Sequence, residues 1–229
     1  MLYSISADQT ERLVARVTAA QLCAGAVGVF VSLVSLLHFI EPQFGPMWRF
    51  VSEYSSGSYG WIMKLAFFVL AFACAAAVAA IRPHATTRVG KTGLFFLVLT
   101  VVGLVLAGMF DQDPLTSDVK TREGSLHAFA TMLGIPGFTA ASLLLGLSLA
   151  RRWVSIRRPL IVLSQLPWIT FVSMPVYMAI VLPAAGGFGP TVWVGFINRL
   201  FLLAMCAWLM FVAWHIERTA QSSSSAKSR

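Results

Sequence analysis

Charge is scarce in this sequence. Only 11% of its 229 residues are Asp, Glu, Lys or Arg, whereas 58% are hydrophobic, and the mean hydropathy is +0.78. A water-soluble domain could not cover itself with so little polar surface, which excludes soluble enzymes and soluble binding domains. Apolar runs of about 20 residues, each long enough to cross roughly 30 Å of hydrocarbon as a helix, recur along the chain. The composition therefore predicts an all-α integral membrane protein.

Cysteine is also rare, and its positions exclude two further classes. Cys23, Cys74 and Cys206 all fall inside apolar runs, and the chain has neither a CxxC motif nor a Cys/His cluster of the kind that binds zinc in knuckles. A disulfide framework is not expected, and we interpret the three cysteines as small packing residues. The net charge of +8 would favour nucleic acid as a partner of a soluble protein. Here the basic residues lie mainly in short loops between spans, so no nucleic-acid partner is predicted.

The apolar runs predict one domain built as a bundle of six transmembrane helices. We place the spans at residues 17–40, 61–81, 93–110, 127–150, 160–182 and 191–216, within a single domain of residues 1–218. A tail over residues 219–229 has the Ser-rich composition of a disordered end. The first run is too long for the apolar part of a cleaved signal peptide, and we expect it to remain as the first helix.

Lys and Arg are distributed very unequally between the two sides of this topology. Of the 17 such residues, only Arg49, Lys120 and Arg122 fall in the first, third and fifth loops, and only Lys64 and Arg199 fall inside spans. All the others lie on the side of the two termini, and basic loops remain in the cytoplasm. We therefore predict cytoplasmic N- and C-termini and a multi-pass protein of the plasma membrane, the inner membrane of a bacterium.

Polar residues in and near the spans gather on the predicted outer side. The first outer loop, residues 41–61, mixes charges, aromatic residues and turn residues, which a simple connector does not need. An arginine inside a span costs about 2.5 kcal/mol or more unless it faces the bundle interior, pairs or reaches the interface. We expect an outward-facing polar pocket with this loop as its lid and with Glu53 as the partner of Arg199. The candidate pocket residues are Ser52, Glu53, Tyr54, Lys64, Asp111, Asp113, Asn198 and Arg199.

A set of residues in the first and third outer loops and at nearby helix ends has a distinctive order and spacing. These residues are Ser52, Glu53, Tyr54, Gly57, Gly60, Trp61, Gly108, Phe110, Asp111, Asp113, Pro114, His127, Asn198 and Arg199. At these positions the chain resembles a bacterial family of six-helix membrane proteins, the domain of unknown function 998. The resemblance covers nearly the whole chain, and it implies which residues to watch without implying a reaction. A more distant likeness, to the small lipid-handling membrane proteins of the Frag1/DRAM group, is one of fold alone.

Three classes of function fit this pattern. The preferred one is a site for a membrane lipid or a small amphiphile, with no cofactor and with Arg199 available for an anionic headgroup. The first alternative is a metal-dependent membrane hydrolase, in which His38, Asp111 and His127 would hold zinc. It would be similar to the alkaline ceramidases and adiponectin-receptor enzymes, although those have seven helices. The second alternative is a small-solute transporter, or a structural or accessory membrane subunit. The sequence fits both an enzyme and a protein without catalytic activity, and it indicates no protein partner.

Overall fold

Each apolar run of the chain folds into one long helix. The structure is a computed structural model that describes residues 7–225, and no strand occurs among them. Two short 3-10 helices, Val51–Ser56 and Val154–Ile156, lie in the connections. The long helices are α1 (Ala7–Ile40), α2 (Gly60–Ile81), α3 (Arg88–Met109), α4 (Arg122–Arg152), α5 (Arg157–Ala185) and α6 (Val194–Ser225).

Within residues 7–225, six helices are long and apolar enough to cross a membrane. The predicted six-helix architecture is therefore confirmed. Most helices extend beyond the predicted apolar spans, as α1 does by beginning at Ala7 and α4 by beginning at Arg122, because helical hydrogen bonds continue where polar side chains meet water. α6 continues to Ser225, into the region for which the sequence predicts a disordered tail, and the disorder itself stays a prediction. Residues 226–229 of that predicted tail lie outside the described residues.

Two helices begin at threonine caps that fix where the polar connections stop. The Thr87 hydroxyl accepts a hydrogen bond from the Gly90 N–H at 3.0 Å at the start of α3. The Thr121 hydroxyl accepts one from the Gly124 N–H at 2.9 Å at the start of α4. Each bond satisfies a main-chain donor that has no partner within the helix.

The helices pack in chain order around a closed ring, in which each contacts the next and α6 returns to α1. α3 and α4 approach most closely at glycines, since a Cβ on Gly103 would lie 2.6 Å from the main-chain nitrogen of Gly134. The start of α1 and the end of α6 share one end of the bundle, which we call the terminal end. The opposite end holds the Val51–Ser56 helix and the connection from α3 to α4, and we call it the loop end.

α5 is the least buried member of the ring. Its buried residues are Leu160, Ser164 and Pro167, all in the half near the terminal end. Beyond Pro167 it runs along the edge of the bundle, where the Tyr177 hydroxyl accepts a hydrogen bond from the Trp193 N–H at 2.9 Å. The loop-end half of α5 is thus a loose cover over the gap between α4 and α6.

Candidate functional site

The connection between α1 and α2 folds back onto the bundle instead of extending into solvent. Its main chain is hydrogen-bonded to α6, since the Val51 N–H donates to the Asn198 side-chain oxygen at 3.1 Å and the Phe196 N–H donates to the Met47 carbonyl at 2.9 Å. A Cβ on Gly195 would lie 2.4 Å from the Arg49 carbonyl oxygen. The loop therefore needs a glycine at this contact and forms a wall of the loop end.

Glu53 is the central residue of this wall. Its side chain is completely buried, and one carboxylate oxygen accepts a hydrogen bond from the Phe50 N–H at 3.0 Å. The other oxygen accepts from the Arg49 guanidinium at 2.6 Å and from the Leu115 N–H at 3.2 Å. Glu53 therefore caps the start of the 3-10 helix and neutralises Arg49. It also links the first loop to the connection between α3 and α4.

Arg199 has different partners from the one that we predicted. Its Nε donates to His38 Nε2 at 2.8 Å, and one terminal nitrogen donates to the carbonyl oxygens of Arg49 at 2.7 Å and Gly195 at 3.1 Å. The predicted ion pair between Glu53 and Arg199 is wrong, because Arg49 lies four residues before Glu53 in the same loop and occupies the carboxylate. Arg199 instead anchors the loop through its main chain.

The contacts of His38 fix the proton on its ring. Nδ1 lies 2.7 Å from the Val34 carbonyl oxygen, which can only accept, and Nδ1 is therefore the protonated nitrogen. Nε2 accepts the hydrogen bond from Arg199. A second proton on Nε2 would place two donors against each other, and this arrangement consequently requires a neutral imidazole.

Tyr54 fills the space beneath the loop. It is completely buried, its ring lies 5.4 Å from that of His38 and 5.3 Å from that of Phe44, and its hydroxyl donates to the Phe44 carbonyl at 3.4 Å. Burial raises the pKa of Tyr54, and the neighbouring Arg199 guanidinium only partly opposes this. Tyr54 is therefore a neutral packing residue of the loop.

Sequence reasoning missed a second buried carboxylate, Glu41, which is 1% exposed. It accepts hydrogen bonds from the Tyr59 N–H at 2.6 Å and from the Gln43 side-chain amide. Tyr59 immediately precedes α2, so the negative charge of Glu41 lies at the positive end of that helix dipole. The position of Glu41 directly after an apolar run was the only signal in the sequence.

Two further acidic residues stabilise the loop end locally. Asp111 lies 3.0 Å from the Lys64 ammonium, and each side chain is 36% exposed, which makes the pair a weak one. Asp113 accepts hydrogen bonds from the main-chain N–H and the hydroxyl of Thr121, at 2.9 and 2.7 Å. The Thr121 hydroxyl is the main reason that the pKa of Asp113 is lowered.

A cavity of about 360 Å³ extends from the first loop towards the middle of the bundle. Its walls are mainly apolar, with Met63, Phe67, Leu104, Phe201 and Met205 among them. The expectation of a polar pocket thus needs correction, because the charged candidates lie around this cavity and not in its lining. The polar groups at its loop end are Ser52, Gln112, His127 and Asn198.

The cavity is open on one side. Ala128 and Met132 of α4 line it and are also exposed, Met132 to 69%. Met174, from the loosely packed half of α5, contributes to the same lining. The lining therefore reaches the outer surface of the bundle at α4, next to α5.

The predicted zinc set is not assembled. His38 contacts Arg199, Asp111 contacts Lys64, and His127 donates from Nδ1 to the Phe110 carbonyl at 2.9 Å. Within residues 7–225, no group of three His, Cys, Asp or Glu side chains is placed to hold a metal ion. These three residues do not fit a zinc site, and we derive no chemistry from one.

The six apolar helices and their buried loop define an integral, multi-pass membrane protein. A family model described as "Protein of unknown function (DUF998)" matches residues 24–215, and the chain belongs to this family. The match includes every candidate site residue discussed above, and the family resemblance seen in the sequence is thereby confirmed. No curated protein and no solved structure matches the chain. The likeness to the Frag1/DRAM group stays a prediction.

Proposed function

We propose that this protein binds a membrane lipid or another small amphiphile in the cavity at its loop end. The observation that carries this proposal is the match between an apolar cavity of about 360 Å³ and a polar end bounded by Ser52, Gln112, His127 and Asn198. Small-molecule sites are commonly apolar clefts of roughly 300–1,000 Å³ with a few converging polar groups. An amphiphile has the same division between an apolar body and a polar head.

The opening between α4 and α5 supports a ligand that arrives from the bilayer. The exposed lining residues Ala128 and Met132 offer an apolar path from the lipid side. The cover over this path is the half of α5 that follows Pro167 and contains no buried residue. With the loop end outside, as the distribution of Lys and Arg predicts, the ligand enters from the outer leaflet of the plasma membrane.

Closure of the terminal-end side favours binding over transport across the membrane. Phe138 of α4 and Trp208 of α6 are completely buried and meet edge to face with ring centroids 5.8 Å apart. Trp208 also donates a hydrogen bond to the Ser164 hydroxyl of α5 at 2.9 Å. This contact joins three helices beneath the cavity, where a transport path would need a polar opening.

Blocking the cavity opening tests the proposal. Trp in place of Ala128 would fill the opening, whereas Ala75→Trp places the same side chain at an exposed position of α2 that does not line the cavity. We expect native mass spectrometry, after extensive washing in mild detergent, to find one retained amphiphile on the wild type and on Ala75→Trp. Ala128→Trp should lose most of it at an unchanged thermal midpoint. Equal retention by both variants, or no retained amphiphile on the wild type, contradicts the proposal.

A further inference from the structure

The polar end of the cavity can form hydrogen bonds but carries no charged side chain. Among the described residues that line the cavity, none is Asp, Glu, Lys or Arg. Ser52 offers a hydroxyl, and Gln112 and Asn198 offer amides that can both donate and accept. His127, 1% exposed, is held by the Phe110 carbonyl rather than by a carboxylate. A ligand headgroup at this end therefore meets dipoles and not ions.

The nearby cations lie outside the cavity lining, although one terminal nitrogen of Arg199 is buried without a hydrogen-bond partner among the described residues. Arg49 is bound to the buried carboxylate of Glu53, and Lys64 is paired with Asp111. Arg199 donates to His38 and to two main-chain carbonyls, and its hydrogen bonds hold the loop in place. An anionic headgroup in the cavity would lose its hydration without meeting a cation in the lining, and burying an unpaired charge is strongly unfavourable.

We propose that the ligand is an uncharged amphiphile with one hydrocarbon chain and an alcohol, ester or amide headgroup. This inference rests on the proposed function and narrows it. The cavity volume of about 360 Å³ lies at the low end of the roughly 300–1,000 Å³ of small-molecule sites, which suits one chain better than two. The headgroup lies among Ser52, Gln112 and Asn198, and the chain extends towards Phe201 and Met205.

Three probes with the same chain length separate this inference from the proposed function. They are a monoacylglycerol, which is neutral, a lysophosphatidic acid, which is anionic, and an alkyltrimethylammonium ion. We expect the delipidated wild type to bind the monoacylglycerol at least tenfold more tightly than either charged probe. Equal or tighter binding of the anionic or cationic probe overturns the inference but leaves the proposed function intact. Failure of all three probes to bind overturns both.

A charge placed at the polar end tests where the headgroup lies. Asn198→Asp keeps an oxygen acceptor for the Val51 N–H and adds a negative charge to the lining. We expect it to weaken monoacylglycerol binding at least fivefold and to improve binding of the cationic probe. If Asn198→Asp does not fold, Gln112→Glu adds the charge at the same end. Probe preferences identical to those of the wild type in the folded variant would place the headgroup elsewhere and overturn the inference.

Discussion

Replacing Glu53 with alanine should destabilise the protein by about 3 kcal/mol. The change removes the acceptor for the Arg49 guanidinium and for the N–H groups of Phe50 and Leu115. Breaking a buried ion pair costs about 3–5 kcal/mol, and each buried donor left unsatisfied costs about 1–3 kcal/mol. The Arg49 side chain is 18% exposed, and the two N–H groups belong to part-buried contacts. Water can therefore partly solvate all three donors, which keeps the expected total near the lower bound for the ion pair alone.

A double-mutant cycle identifies the partner of Glu53. The free energy of unfolding would be measured in mild detergent by SDS titration, with tryptophan fluorescence as the signal. We expect a coupling energy of about 1 kcal/mol or more between Glu53→Ala and Arg49→Ala. The coupling between Glu53→Ala and Arg199→Ala should be less than half as large, because these two side chains do not pair. Equal coupling, or stronger coupling with Arg199, would refute our account of the loop.

Three other variants test the packing and the helix ends. Gly103→Ala should lower the thermal midpoint by several degrees, since its Cβ would meet the α4 main chain at 2.6 Å, while Gly25→Ala, with open space around its Cβ, should not. Trp208→Phe should cost about 1 kcal/mol by removing a buried hydrogen bond, and Trp214→Phe, at a position that is 44% exposed, serves as its control. Because the pKa of Asp113 is lowered in the folded protein, its ionised carboxylate stabilises the fold above pH 3.8. This contribution is lost as the pH falls through the folded-state pKa. The difference in thermal midpoint between wild type and Asp113→Asn should therefore shrink on acidification below pH 4; a constant difference would contradict this.

The architecture could be predicted because the length and hydrophobicity of each run are sufficient to specify a transmembrane helix. The partner of Arg199 could not be predicted from the sequence. Composition placed Glu53 and Arg199 at the same end of the bundle, but only the path of the first loop decides which cation reaches the carboxylate. The 3-10 helix after Phe50 brings Arg49 within 2.6 Å of Glu53. The local geometry of the first loop, and not the need of Arg199 for an anion, thus determines the partner of Glu53.

The cavity was also misjudged from the sequence, for a related reason. Charged residues are conspicuous in an apolar chain, and their positions predict a pocket that they line. In the structure, Lys64 and Asp111 pair with each other at 3.0 Å, and the space that they surround is lined mainly by apolar side chains. Gln112, a lining residue with no unusual sequence context, was overlooked. Polarity alone does not distinguish a residue that lines a site from one that supports it.

An experimentally determined density map of the protein in a lipid nanodisc would test the central claim most directly. We predict elongated density inside the bundle, with its polar end near Ser52 and Asn198 and its chain passing Phe201. The density should disappear in Ala128→Trp and persist in Ala75→Trp. A cavity closed by the surrounding side chains, or one containing only separated water molecules in both variants, would contradict the claim that this protein binds an amphiphile.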